Sequence, residues 1–201
     1  MPNWCDNSVT FTHEDPLQIQ RLVAAYNEGT LLNEFMPVPA ELKDTTSPTP
    51  NEDREQADRL IEQHGFSNWY DWCVNTWGTK WDIDNNGNGE TLAEGATEVT
   101  ISFQTAWSFP GGFYQHMVDE LGFGVRAFYY EPGMAFCGLW EDGDDDYYEI
   151  EGDSKWVEDH IPRTIDDCFA ISENMSQWEE EATAEEILAP FIAANTDMET
   201  E

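Results

Sequence analysis

Residues 97–104, TEVTISFQ, alternate strictly between polar and apolar side chains. Successive side chains of a strand point to opposite faces, so Val99, Ile101 and Phe103 share one face and Thr100, Ser102 and Gln104 the other. A strand of this kind belongs to an antiparallel sheet that is covered on one side and wet on the other. Residues 8–12 (SVTFT) repeat the pattern, with Val9 and Phe11 on the apolar face.

What covers such a sheet is written between the two strands. Asp15-Pro16 opens a helix, with Asp15 as N-cap and Pro16 at the first helical position. Ile19, Leu22, Val23 and Tyr26 fall at i, i+3, i+4 and i+7, one apolar stripe, and Gly29 ends it. Residues 35–50 are proline-rich and read as irregular. A second helix follows Asn51 and runs to His64, with Ala57, Leu60, Ile61 and His64 in register and Gly65 as stop. Ser67 or Asn68 caps a third, which places Trp69, Cys73 and Trp77 at i, i+4 and i+8 and closes at Gly78. This stretch, about 51–78, reads as a helical insertion.

Beyond the strand at 97–104, the turn TAWSFPGG leads into a helix near 112–121 carrying Phe113, Met117 and Leu121. VRAFYYEPG (125–133) and MAFCGLWEDG (134–143) form an aromatic hairpin around Glu131-Pro132-Gly133, and a further strand near 147–151 follows an acidic turn. The order is strand, helix, helical insertion, strand, helix, strand, strand. It contains permuted βαββαβ elements and predicts an α+β domain over 1–150 with helices on one sheet face. Residues 151–201 read as an acidic, partly helical C-terminal extension. There Ser176 to Glu179 match a capping box, with a helix to about Ala189, a stop at Pro190 and frayed residues 195–201.

Charge bounds the partners. The net charge is −34, from 42 acids against 8 bases. A B-DNA duplex carries that many phosphates in roughly 17 base pairs, but spreading the charge over a globule of this mass dilutes it below duplex density. Imitation of a duplex therefore requires clustering, and residues 141–201 hold half of the acids. Direct nucleic-acid binding is disfavoured because phosphate repulsion dominates encounter. A basic protein is the natural counterpart. No apolar run reaches the length of a membrane span, and the N-terminus lacks the basic flank and apolar stretch of a signal peptide, so the expectation is a cytoplasmic chain. The four cysteines show no metal spacing and read as buried thiols.

Several clusters invite chemistry. Trp69, Trp72, Trp77 and Trp81 could stack bases, or simply line a core. Lys80, one of three lysines, sits between two tryptophans beside Asp82; it could hold an anionic ligand, or pair with Asp82 on the indole faces. Asp82, Asp84, Asn86 and Glu90 in DIDNNGNGE match the first half of a calcium loop, although the twelfth position is Ala93; a polar turn explains the same composition. No resident cofactor is otherwise implied. The histidines show no ligand spacing, and no nucleophile or phosphate-loop motif occurs.

Three Trp-rich strings, MPNWCDN, NWYDWCVNTWGTKWD and TAWSFPGG, hold six of the nine tryptophans. With the hairpin residues Glu131, Gly133, Phe136 and Gly138, they resemble the YubB-like family of plasmid and bacteriophage proteins. The resemblance covers roughly 1–145. It implies a ferredoxin-like domain in which Trp4, Cys5, Trp72, Cys73, Trp77, Lys80, Trp81 and Trp107 serve the fold. The family's habitat implies a role against or alongside host machinery.

Charge and resemblance together predict a non-enzymatic interaction protein. It would bind and inhibit a basic nucleic-acid-handling host protein, as a nucleic-acid mimic or anti-defence factor. The partner-binding residues expected are Asp142, Asp144, Asp145, Asp146, Glu149, Glu151, Glu179, Glu180 and Glu181. Two other readings compete. The acidity is adaptation to salt, or the Trp/Lys80/Asp82 segment is a small-ligand or metal-dependent active site, which requires a concave pocket where Lys80, Asp82 and a histidine converge.

Overall fold

Strand β1 (Trp4–Thr12) begins earlier than the SVTFT alternation, because WCDN keeps the period of two. Cys5, Asn7, Val9 and Phe11 are all buried. Asn7 hides the pattern: it is an amide on the core face, with both its nitrogen and its oxygen satisfied there. Its Nδ2 donates to the Cys5 carbonyl and to Thr105 Oγ1, each at 2.9 Å, and its Oδ1 accepts from the Tyr114 hydroxyl at 3.0 Å. A buried amide is tolerated only when so satisfied.

The structure is a computed structural model that describes residues 3–182. After β1 come α1 (Pro16–Glu28), α2 (Leu31–Phe35), α3 (Ala40–Lys43), a 3-10 turn (Asn51–Asp53), α4 (Arg54–His64) and α5 (Trp69–Thr76). Then follow β2 (Glu98–Ala106), α6 (Gly111–Asp119), β3 (Gly124–Glu131), β4 (Phe136–Glu141) and β5 (Asp144–Glu149). The last helices are α7 (Ser154–His160) and α8 (Arg163–Phe169), and residues 171–182 are helical. The chain divides into two units, Met1–Tyr148 and Glu149–Glu201.

The fold is α+β with a five-stranded antiparallel sheet in the order β2-β1-β3-β4-β5. β1 pairs antiparallel with both β2 and β3, so those two run the same way on either side of it, joined by α6. Val9 lies opposite Ile101 on β2 and Ala127 on β3. This puts the apolar faces of the three strands in one layer, and the stripe of α1 and Phe113, Tyr114 and Met117 of α6 join the same core. α1 forms as its ends dictate: Asp15 accepts from the Leu17 N–H at 3.0 Å, and Gly29 takes φ 69°. β4 and β5 are joined by Asp142-Gly143, both with positive φ, the two-residue turn that matches strand twist. Opposite Tyr129, Gly138 leaves room for the ring, since a Cβ there would overlap the phenol oxygen.

Local signals misled in three places. Residues 35–50 are not wholly irregular, since α2 ends and α3 lies within them. Ile61 is 49 % exposed because α4 buries only the narrower line of Ala57 and Leu60. Ser176 is not an N-cap, because the helix is already formed from 171 after Ala170 turns the chain at φ 50°. Buried Ile171 anchors that start, and burial outweighs a cap. In this second unit Glu179 instead accepts from the amide and hydroxyl of Ser154, each at 2.8 Å, while Asp153 caps α7. The expected stop at Pro190 and the frayed residues 195–201 lie outside the described residues. Among the described residues, no helix is long and apolar enough to cross a membrane.

Candidate functional site

The Trp-rich stretch 68–82 divides at Gly78. Before it, Asn68 caps α5 by accepting from the Asp71 N–H at 2.9 Å, and the helix turns Trp72 and Cys73 into the core. Trp77, at its end, donates from Nε1 to the Met36 carbonyl at 2.8 Å and meets Trp72 edge to face. Gly78, at φ 92°, packs closely on the backbone of Phe109 and Gly111, so a side chain there would be strained and would crowd both. Buried Thr79 then donates to the Ala106 carbonyl at 2.9 Å, tying the segment to the end of β2.

Past that anchor the chain turns outward. Trp81 and Trp107, expected to serve the core with the other motif tryptophans, are each 40 % exposed. Base stacking by Trp69, Trp72, Trp77 and Trp81 together is therefore not what the fold builds, because Trp72 and Trp77 are buried. Trp107 takes a left-handed backbone, φ 71°, costing about 1 kcal/mol or more in a bulky residue. Its N–H donates to the Asn3 carbonyl at 2.9 Å, which holds it there.

Lys80 does not pair with Asp82. Its Nζ lies 4.2 Å from the Trp81 ring centre, 5.1 Å from Trp107 and 5.6 Å from Tyr70. Three electron-rich faces thus surround the ammonium. Asp82 turns the other way. Its Oδ1 accepts from the N–H groups of Leu32 and Ile83 at 2.8 and 2.9 Å, and its Oδ2 from Asn33 at 2.9 Å. It therefore holds the first turn of α2. Burial pushes its carboxyl above the usual range, opposed by those three N–H bonds.

Lys80, Trp81 and Asp82 border a groove of about 380 Å³, with Trp69, Trp77 and Lys43 also on its walls. Cys73 also faces it, its thiol pushed up to about 12 by burial and by the nearby Asp82 carboxylate. No histidine lines it. His13 and His116 lie against the Leu121 and Phe35 carbonyls, and His160 stacks on Trp156. The convergence of Lys80, Asp82 and a histidine that acid–base chemistry would need is not formed.

The calcium-like loop uses its oxygens on itself. Asp84 Oδ1 accepts from the Asn86 N–H at 2.8 Å, and Asn85 Oδ1 from Gly87 at 3.0 Å. Glu90 is fixed through its backbone to the Asn27 amide. With Asp82 turned to α2, the four oxygen ligands are not brought together. Among the described residues, no group of three or more His, Cys, Asp or Glu side chains is placed to hold a metal ion.

The acids divide by task. Asp142 Oδ1 accepts from the Val125 N–H at 2.8 Å and closes the β4–β5 turn onto β3. Asp145 accepts from the Tyr129 hydroxyl at 2.6 Å. Glu179 holds the start of α7, as above. Asp144, Asp146, Glu149, Glu151, Glu180 and Glu181 are exposed. Sequence reasoning missed the structural tasks because an acidic run carries no mark of which member points inward.

No family model matches the chain, and no curated protein does. Among solved structures it is similar to a protein api92 from Yersinia pseudotuberculosis, of family model DUF1281. The identity is 11 % and the TM-score 0.36, over 76 % of this chain and 99 % of that one. A likeness at that level says nothing about activity.

Proposed function

We propose that this chain is a non-enzymatic acidic interaction protein of the YubB-like kind carried by phages and plasmids. It engages and inhibits a basic nucleic-acid-handling protein in the host cytoplasm. The observation that carries the reading is β5. It ends the sheet, has acids at 144, 145, 146 and 149, and exposes most of its side chains. Among the described residues, none of these four acids has a cation within ion-pair distance. An exposed edge with unneutralised carboxylates attracts a basic surface and repels nucleic acid. The crossover of β2, α6 and β3 around β1 supports placing the sheet with ferredoxin-like folds.

Capture tests this. The immobilised chain is presented with bacterial lysate at low and moderate salt, and retained proteins are identified by mass spectrometry. The expected result is one nucleic-acid enzyme, eluted by salt and displaced by duplex DNA, and lost from a variant carrying Asp144→Asn, Asp146→Asn and Glu149→Gln. Retention that ignores both DNA and those three substitutions would sink the reading.

A further inference from the structure

The Lys80 groove has a different chemistry from the rest of the molecule. The chain has three lysines and 42 acids, yet two of the three lysines border one groove. Among the described residues, neither Lys43 nor Lys80 has a carboxylate within ion-pair distance, whereas the third, Lys155, has two. The acid on the groove wall, Asp82, is occupied by three backbone N–H groups of its own fold. Lys80 is held by Tyr70, Trp81 and Trp107, and Trp107 keeps a strained backbone in doing so. Among the described residues Arg54 and Arg59 also lack an ion pair; what sets the two lysines apart is that they border one groove with indoles on its wall.

We propose that this groove binds a small organic anion with a planar apolar body, such as an aromatic carboxylate or sulfonate. The anionic head pairs with Lys80 and Lys43, and the body lies on the indoles of Trp69 and Trp81. Each part of the wall selects. A cation is repelled by the lysines. An inorganic anion leaves the indoles uncovered. A nucleic-acid strand spans far more than one groove and meets the full −34 charge of the chain. A small anion escapes that repulsion, because charges beyond about 8 Å are screened at physiological salt. The volume of about 380 Å³ lies in the range of pockets that take such molecules. The site is independent of β5 and of its partner.

The probe is 1-anilinonaphthalene-8-sulfonate, with N-phenyl-1-naphthylamine as its uncharged counterpart. Both are titrated by fluorescence into the wild-type chain, Lys80→Gln, Lys43→Gln and Trp81→Ala, each checked for native circular dichroism. The wild type is expected to bind the sulfonate saturably at one site. Lys80→Gln should weaken the sulfonate about three- to tenfold while the neutral probe changes less than about twofold, as loss of a partly exposed charge contact implies. Trp81→Ala should weaken both. The proposal is overturned if the wild type shows no saturable sulfonate binding. It is equally overturned if neither lysine variant weakens the sulfonate, or if the neutral probe loses as much as the charged one.

Discussion

Trp72 and Trp81 stand nine positions apart in one Trp-rich string and have opposite fates. Trp72 is buried against Trp77, and Trp81 leans out over Lys80. Replacing Trp72 by Ala should cost about 3–5 kcal/mol in urea unfolding, whereas Trp81→Ala should stay below about 1 kcal/mol. Equal losses would mean that Trp81 is a core residue after all. Asp82 gives a pH signature. Burial raises its carboxyl above 3.8 in the folded state, so the fold holds a proton that the unfolded chain has released. Its contribution to stability is full below that pH and is lost as pH rises through the higher folded value. Stability loss in Asp82→Asn should therefore be larger in acid than at neutral pH. A loss that grows toward neutral pH would show that the three N–H bonds outweigh burial. That i, i+4 spacing placed Cys73 and Trp77 inward was legible. The exit of Trp81 was not, because it depends on Gly78 and Thr79 docking onto residues thirty positions away.

The elements were legible where their ends carry chemical signals. α1 follows from Asp15, Pro16 and Gly29, each with its own local reason. β2 follows from alternation alone. The first half of β1 was hidden by Asn7, whose partners Thr105 and Tyr114 lie about a hundred residues away in sequence. The helix at 171–182 was misplaced because burial of Ile171, a tertiary fact, sets its start. The acidic turn expected ahead of a strand near 147–151 is itself the start of β5, Asp144–Glu149, because the turn is only Asp142-Gly143, and the aspartates of β5 differ. Asp145→Ala leaves the buried Tyr129 hydroxyl without its acceptor and should cost about 1–3 kcal/mol. Asp144→Asn, Asp146→Asn and Glu149→Gln together should change stability by less than about 0.5 kcal/mol, since these side chains are exposed and unpaired. Chemical denaturation of the two variants separates a structural acid from a surface one. Equal losses would contradict that division.

Across the whole molecule the chemistry is lopsided: a thick aromatic core beneath a surface of carboxylates. The thiols follow the core. Cys5, Cys73 and Cys137 are buried and Cys168 is exposed, against the expectation that all four would be inside. Burial raises the Cys5 and Cys73 thiols, so little thiolate forms in either at neutral pH. A thiol-reactive dye should therefore modify one cysteine, Cys168, in the native chain and all four in denaturant. Rapid native labelling of Cys73 would mean that the groove opens to its floor. The charge has two explanations that salt separates. If acidity serves solvent adaptation, the fold should weaken at low salt through self-repulsion and the β5 acids should be interchangeable with any others. If it serves recognition, the fold should hold at low salt and the β5 acids should matter individually.

The most direct measurement is the affinity of the wild-type chain and of the Asp144→Asn/Asp146→Asn/Glu149→Gln variant for the captured basic enzyme, as a function of salt. Recognition through β5 predicts that wild-type affinity falls steeply as salt rises, and that the variant is weaker with a shallower slope. Affinities of the two proteins that coincide at every salt concentration would contradict it.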